Sequence, residues 1–321
     1  MTRLAEIESH IGNMNELREI VSAMRSLASM RVQEAQHMLP GVRSYAEILA
    51  AGVGAALLLL PSAQSVDRAP RGPGALVLCT AEHGFVGGFN EHLLDAAHAS
   101  IAGGDRLFIL GARGIAIAEE RGSKVGWTHA MATRPLGVPE MVQALTAELY
   151  RCIANGEIAH VAVMFARHGQ TSGMTIERRQ LLPIDPVSLA PADLMQPPLH
   201  NLPPRDLLEK LIADYVFALL TAAAIESLVS ENAARFAAMQ AAHDNVTKKV
   251  EELRDEARQT RQTEITTELL DLITGVEAER DLVGKREPRA KTTDGPLKKP
   301  PLHMGRIGFF DPNNPHSGSS R

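Results

Sequence analysis

The chain has 321 residues, of which 45% are hydrophobic and 22% charged, and it carries a net charge of −5. That balance excludes wholesale disorder and gives no electrostatic case for nucleic acid as the main partner. Two cysteines, Cys79 and Cys152, stand in no CxxC or Cys/His cluster, so neither a disulfide framework nor a zinc site is expected and a reducing compartment is the default.

The length suggests about two domains. Residues 2–60 carry apolar side chains at Leu4, Ile7, Ile11, Met14, Leu17, Val21, Met24 and Leu27. The steps of three and four predict a helical stripe close to the heptad period. Pro40-Gly41 interrupts the pattern, and a second helical stretch is expected from Tyr45 to Leu60, ended by Pro61. The most apolar run, residues 48–60, is shorter than the roughly 20 residues a bilayer span requires. The N-terminus, with Glu6 and Glu8, lacks the features of a signal peptide, so the chain reads as soluble.

After a Pro/Arg/Ser linker over residues 61–73, the pattern changes. Short apolar runs at 75–80, 106–111 and 158–166 predict buried strands, and residues 174–184 predict an edge strand. Helical stretches at 91–101, 113–121 and 139–155 lie between them. This alternation predicts a Rossmann-like α/β unit over residues 73–204, closed by a Pro-rich connection from 183 to 204.

Helical periodicity returns at Arg205 and continues to about residue 282 without a proline. Met239, Val246, Val250, Leu253, Ala257, Ile265, Leu269 and Leu272 form one stripe. Such a helix would span roughly 115 Å and needs a partner helix, for which the N-terminal segment is the candidate. The aromatics agree with that division. There are 12 in all. Tyr45 is alone in the first 84 residues, and none falls between Phe236 and Phe309. Such stretches cannot build an ordinary core but suit slim, paired helices. Charge also divides the chain: residues 205–281 hold 9 basic and 16 acidic side chains, and residues 283–321 hold 8 basic and 3 acidic. The basic tail, with Lys285, Arg286, Arg289, Lys291, Lys298 and Lys299, is expected to be disordered. Ile307, Phe309 and Phe310 are more apolar than a solvating tail requires and mark a candidate docking motif.

Gly84, Gly87 and Gly88 follow the first strand and precede a helix. Neither GxGxxG nor GxxxxGK[ST] is present, so they predict a tight βα turn rather than a phosphate loop. Among 12 histidines there is no HExxH, and no metal site is expected. Glu82, His83 and Asn90 lack an accompanying nucleophile and read as loop polarity. Met14 and Met24 read as seam residues. Arg261 and Gln262 break the apolar stripe, which points to polar contact with a partner or to a solvated face.

Three stretches carry a family resemblance: IVSAMRSLASMR at residues 20–31, EHGFVGGFN at 82–90, and ENAARFAAM at 231–239 followed by RQTEITTEL at 261–269 with Asp271 and Gly275. Together they resemble the gamma subunit of F-type ATP synthases, over roughly residues 1–280. The resemblance implies an α/β fold in which long N- and C-terminal helices form an antiparallel coiled coil with an inserted Rossmann-like domain. It divides the chain into a shaft helix at 1–60, the α/β domain and connection at 73–204, a second shaft helix at 205–282 and a tail at 283–321. It implies a rotor subunit with no catalytic chemistry and no cofactor. The expected partners are the alpha and beta subunits of the catalytic ring, the epsilon subunit and the ring of c subunits, without nucleic acid or a membrane span. The expected place is the cytoplasmic face of a bacterial inner membrane, and the coupling ion is a proton or sodium. Met24 and Arg25 would face the lever region of a beta subunit, and Arg31 would be a further partner contact. Arg261 and Gln262 would meet a loop of the ring, and Thr266 and Glu268 would be further partner contacts. Ser22, Ser26, Ser29, Met30 and Val276 depart from the family pattern, and the tail runs past the family's usual end, as in a divergent branch. A free coiled-coil adaptor is the alternative, but it would have no use for the α/β insert.

Overall fold

The computed structural model describes residues 3–60, 72–101, 103–169, 173–185, 189 and 199–284. The basic tail, with Phe309 and Phe310, lies outside the described residues. The chain divides into one unit over residues 1–261 and a second over 262–321.

Helix α1, Arg3–Leu57, has its apolar face set by a strict seven-residue repeat. Ile7, Val21, Ala28, Ala35 and Leu49 lie on one line and are buried, with Ala46 and Val53 buried on the adjacent line. A repeat of seven keeps one seam turned towards a partner helix along the whole length. That partner is α5, Pro204–Gly284. The pairing is antiparallel: Arg43 meets Glu226 at 2.9 Å, Arg25 meets Gln240 at 2.9 Å and Arg3 meets Glu256 at 3.1 Å, so numbers fall on one helix as they rise on the other. Ala28, Ala35, Ala218, Ala222 and Ala223 are all nearly inaccessible. Small side chains let the two backbones approach where aromatics would hold them apart.

Pro40 does not end α1, contrary to the sequence expectation of an interruption and a second helix. The helix runs through Pro40 and Gly41, both of which face solvent. On the packed side Ala35 is fully buried, and Val32, Leu39 and Val42 lie against the core. Proline costs one backbone bond on a solvated face, where water can meet the freed carbonyl, while tertiary contacts hold the helix on either side.

The inserted sheet has five strands in the order β3-β2-β1-β4-β5. Strands β1 (Gly74–Cys79), β2 (Arg106–Leu110), β3 (Val125–His129) and β4 (His160–Gly169) are parallel, and β5 (Gly173–Leu182) pairs antiparallel with β4 at the edge. Helices α2 (Phe89–Ser100), α3 (Ala112–Glu120) and α4 (Val138–Ala154) connect them. Strand β3 was not expected. Its five residues, VGWTH, alternate between partly buried and exposed and include Gly126, so it lacks the apolar run that marks the inner strands.

Strand β1 is buried on both faces, and its alternation sorts the core into two layers. Leu76 and Leu78 pack with Leu93, Leu94 and Ala97 of α2 and with Ala118 of α3. Ala75, Val77 and Cys79 pack with Leu145 and Leu149 of α4 and with Leu220, Ala224 and Leu228 of α5. Helix α5 is therefore both a strand of the coiled coil and a layer of the α/β domain. This explains its apolar middle: α5 contains a window long and apolar enough to cross a membrane, yet 67% of that window is buried inside the protein.

Candidate functional site

The site lies where the carboxyl ends of β1 and β4 meet α5. In an open parallel sheet this is the crevice in which ligands usually bind, because strand order reverses there and leaves a gap between successive connections. Here α5 fills it. The Ser227 hydroxyl donates to the carbonyl of Cys79 at the end of β1 (2.7 Å), and the Ser230 hydroxyl donates to Ala166 of β4 (2.9 Å). Both serines are at most 2% exposed.

The loop after β1 completes the contact. Thr80 and Ala81 are fully buried. The Thr80 hydroxyl donates to the Leu110 carbonyl at 2.6 Å, and the amide of Ala81 donates to Asn90 Oδ1 at 2.9 Å. Gly87 takes φ +56°, the left-handed region in which a side chain is strained. Phe85 adopts φ +63° without that freedom, and its ring is 65% exposed. A bulky residue held in that region is strained, and the neighbours that impose the strain are visible. Val86 is buried beside it, and the Gly84 carbonyl is held by Arg235.

Arg235 is the centre of this contact. Its guanidinium donates to Glu231 Oε1 at 2.6 Å, Asn232 Oδ1 at 2.9 Å, the His83 carbonyl at 3.3 Å and the Gly84 carbonyl at 3.3 Å. Glu231, Asn232 and Arg235 are 3%, 0% and 6% exposed. Burial pushes the Glu231 carboxyl above the usual carboxylate range, and the charges of Arg235 and Arg31 work against that shift. A cation with hydrogen bonds in a fixed plane suits Arg rather than Lys.

Glu82 anchors the loop on its other side. Its Oε2 accepts from the Ala112 amide at the start of α3 (3.1 Å) and from the Met131 amide beyond β3 (2.8 Å). A carboxylate at a helix N-terminus meets unpaired N–H groups and the positive end of the dipole. Replacing Glu82 by alanine is expected to lower stability by about 1–2 kcal/mol, read as a shifted urea midpoint with an unchanged slope.

The glycines expected in a βα turn, Gly84, Gly87 and Gly88, are at this loop. The other expected contact residues lie elsewhere. Met24 and Arg25 are half-buried in the shaft, and Arg25 donates to Gln240. Arg31 is also half-buried, and its charge works against the rise of the Glu231 carboxyl. Arg261 is exposed and pairs with Glu8 at 2.8 Å. Gln240 and Arg261 are roughly 30 Å apart along α5, so these contacts form two levels of the shaft. In the second unit Gln262, Thr266 and Glu268 are exposed, and the Thr266 hydroxyl donates to the Gln262 carbonyl at 2.8 Å. Ile265, Leu269 and Leu272 there are 52%, 54% and 67% exposed, whereas Met239, Val250 and Leu253 of the same stripe are buried.

Ser227, Ser230, Asn232 and Arg235 stand outside the residues that motif and spacing point to. Their signal is a run of polar residues on a helix face that is otherwise Leu, Val and Ala. The arrangement is structural in its chemistry. It joins a helix to a loop and gathers no nucleophile with a base. Among the described residues no group of three His, Cys, Asp or Glu is placed to hold a metal ion.

A family model described as ATP synthase matches residues 3–278. Curated relatives named ATP synthase gamma chain include that of Geobacter metallireducens, 26% identical over 290 residues that cover 87% of this chain and 99% of the relative. That of Paracoccus denitrificans is 29% identical over 297 residues, covering 87% and 100%. Among solved structures, a chain of the Euglena gracilis mitochondrial ATP synthase (OSCP/F1/c-ring, rotational state 3) aligns with a TM-score of 0.59 at 14% identity, covering 91% of this chain and 99% of that one. A chain of the rotor of the same enzyme aligns with a TM-score of 0.53 at 12% identity, covering 82% and 98%.

Proposed function

This chain belongs to the ATP synthase gamma-chain family, and from that premise we propose that it is the central-stalk rotor of an ion-translocating F-type ATP synthase. The observation that carries the reading is the union of two roles in α5, which is half of a coiled coil and a buried layer of the α/β domain. A torque applied to the domain therefore reaches the shaft through packed side chains and the Arg235 cluster. The free-adaptor alternative gives no reason for that union.

In this role the chain does no chemistry. Alpha and beta subunits form the ring around the shaft, and epsilon and the c ring meet the domain end. Rotation brings different faces of an asymmetric shaft to each beta subunit and stabilises its open or closed conformer in turn. Met24, Arg25 and Arg31 are assigned to the level of the beta lever. Arg261, Gln262, Thr266 and Glu268 are assigned to polar contact with a ring loop, beside the exposed Ile265 and Leu269. Its place is at the cytoplasmic face of the bacterial inner membrane, held there by its partners.

Co-expression with the alpha and beta subunits of the same organism tests the reading. A stable three-component complex with ATPase activity is expected; isolation of alpha and beta without this chain, at undiminished activity, would refute it. Arg261→Ala separates contact from stability. Its ion pair is 62% and 52% exposed, so less than about 1 kcal/mol of stability is at stake. ATP-driven ion pumping is nevertheless expected to fall several-fold relative to hydrolysis.

A further inference from the structure

Beyond Arg261, α5 carries an apolar face that the described residues leave open. Ile265, Leu269, Leu272 and Val276 recur at i, i+4, i+7 and i+11, which sets them on one line of the helix. All four are more than half exposed, as is Ile273 beside them. An apolar line of that length in water marks a surface that something covers. Its border is acidic. Glu268 and Glu279 stand three residues on from Ile265 and Val276, along one side of the line. Residues 262–280 as a whole hold five acidic side chains against one basic, Arg280. The occupant must therefore be apolar in the middle and basic around it.

The same chain supplies such a segment directly after the helix. Residues 285–321 hold eight basic side chains against three acidic, and they include Ile307, Phe309 and Phe310. The reach is ample. Val276 and Ile265 lie roughly 12 and 29 Å back along α5 from its last residue, Gly284. The 23 residues from there to Ile307 span up to roughly 75 Å when extended. Two further arguments favour the tail over a second copy of the helix. A second copy would bring the same acidic border and oppose like charges. A tethered segment also acts at an effective concentration on the order of millimolar, above that of a second chain at micromolar concentration.

We propose that, in the free chain, the tail folds back on the last turns of α5, with Ile307, Phe309 and Phe310 on the line of Ile265, Leu269, Leu272 and Val276. Its lysines and arginines then face the acidic border. Under the rotor function proposed above, on which this one step rests, the ring meets the same stretch through Gln262, Thr266 and Glu268. The tail and the ring are then competitors, and the tail leaves the helix when the complex forms. The tail thus shields an apolar surface until its permanent partners arrive.

Cross-linking of the full-length chain tests the contact. Cys79 and Cys152 are buried, so Val276→Cys with Ile307→Cys supplies the reactive thiols. Residues 274 and 276 are exposed, so neither change touches the core. Oxidation by copper phenanthroline is expected to close a disulfide within one chain. It should do so about tenfold faster than with Thr274→Cys in place of Val276→Cys, because residue 274 is on the opposite side of the helix. Adding Phe309→Ala and Phe310→Ala should slow closure about tenfold, and about 1 M salt should slow it several-fold. Equal rates at 274 and 276, disulfides formed only between chains, or a rate indifferent to the two phenylalanines overturns the proposal. The locked chain should also fail to join alpha and beta until it is reduced. A locked chain that assembles as well as the reduced one overturns the competition, whereas failure of both counts against the rotor reading alone.

Discussion

Replacing Arg235 by alanine is expected to lower the unfolding free energy by about 3–5 kcal/mol. The reason lies in what remains behind. Glu231 would stay 3% exposed without its cation, and the carbonyls of His83 and Gly84 would each lose a donor. A drop of that size should lower Tm by roughly 10 °C in a chain of this length. Hydrogen exchange should rise first in residues 82–88, because the loop is tied to α5 by those two bonds. Replacing both partners, as Glu231→Met with Arg235→Leu, should recover much of the stability, since it removes the buried charge along with its partner. A double variant no better than Arg235→Ala would show that the carbonyl contacts, not the ion pair, carry the effect.

The same variant has a pH signature. Burial already holds the Glu231 carboxyl above its ordinary range, and Arg235 restrains that rise. Without Arg235 the folded-state value rises further. A carboxyl whose folded value lies above its unfolded value binds its proton first in the folded protein, so stability increases as pH falls through that window. The deficit of Arg235→Ala should therefore shrink between neutral and mildly acidic pH. A deficit that is constant across that range would count against a buried charge as its origin.

Gly114→Ala should be about as damaging, at 3 kcal/mol or more. A Cβ there would stand 2.0 Å from Thr80 Oγ1 and 2.4 Å from Thr80 Cβ. Thr80 cannot yield. It is fully buried, and its hydroxyl is held by the Leu110 carbonyl. Helix α3 must move away from the end of β1 instead, which disturbs its N-terminus and the Glu82 contact together. Gly12→Ala supplies the contrast. It lies within α1 with nothing near the new methyl, so about 0.5–1 kcal/mol of added stability is expected from helix propensity alone. Urea unfolding of the two variants should move in opposite directions; a Gly114→Ala protein as stable as the parent would mean that the helix and strand are less closely packed than the distances require.

These two residues also mark how far the sequence could be read. Gly114 lies in a stretch expected to be helical, but nothing local says that a strand comes within a methyl group of it. Arg235 lies in a stretch that resembles a family signature, yet its bonds to His83 and Gly84 span about 150 residues of chain. Arg31 was placed towards a partner by resemblance, while in the structure its charge also acts inward on Glu231.

The sequence by itself determined what repeats. An apolar stripe from Leu4 to Leu27 and a proline-free run after Pro204 require helices at both ends of the chain, and scarce aromatics with frequent alanine require that they be slim. Short apolar runs between helical stretches require a parallel sheet, and Gly84, Gly87 and Gly88 require a tight turn after its first strand. Periodicity reports which side of an element is buried, because burial recurs at the period of the element. It does not report what covers that side. Only the tertiary structure decided that α1 passes straight through Pro40, held by contacts on the face away from the proline. Only it decided that VGWTH is a strand, added at an edge where half of its side chains can stay in water. And only it decided that the crevice at the end of β1 is filled by α5, because that contact joins groups far apart in the chain whose pairing no local pattern records.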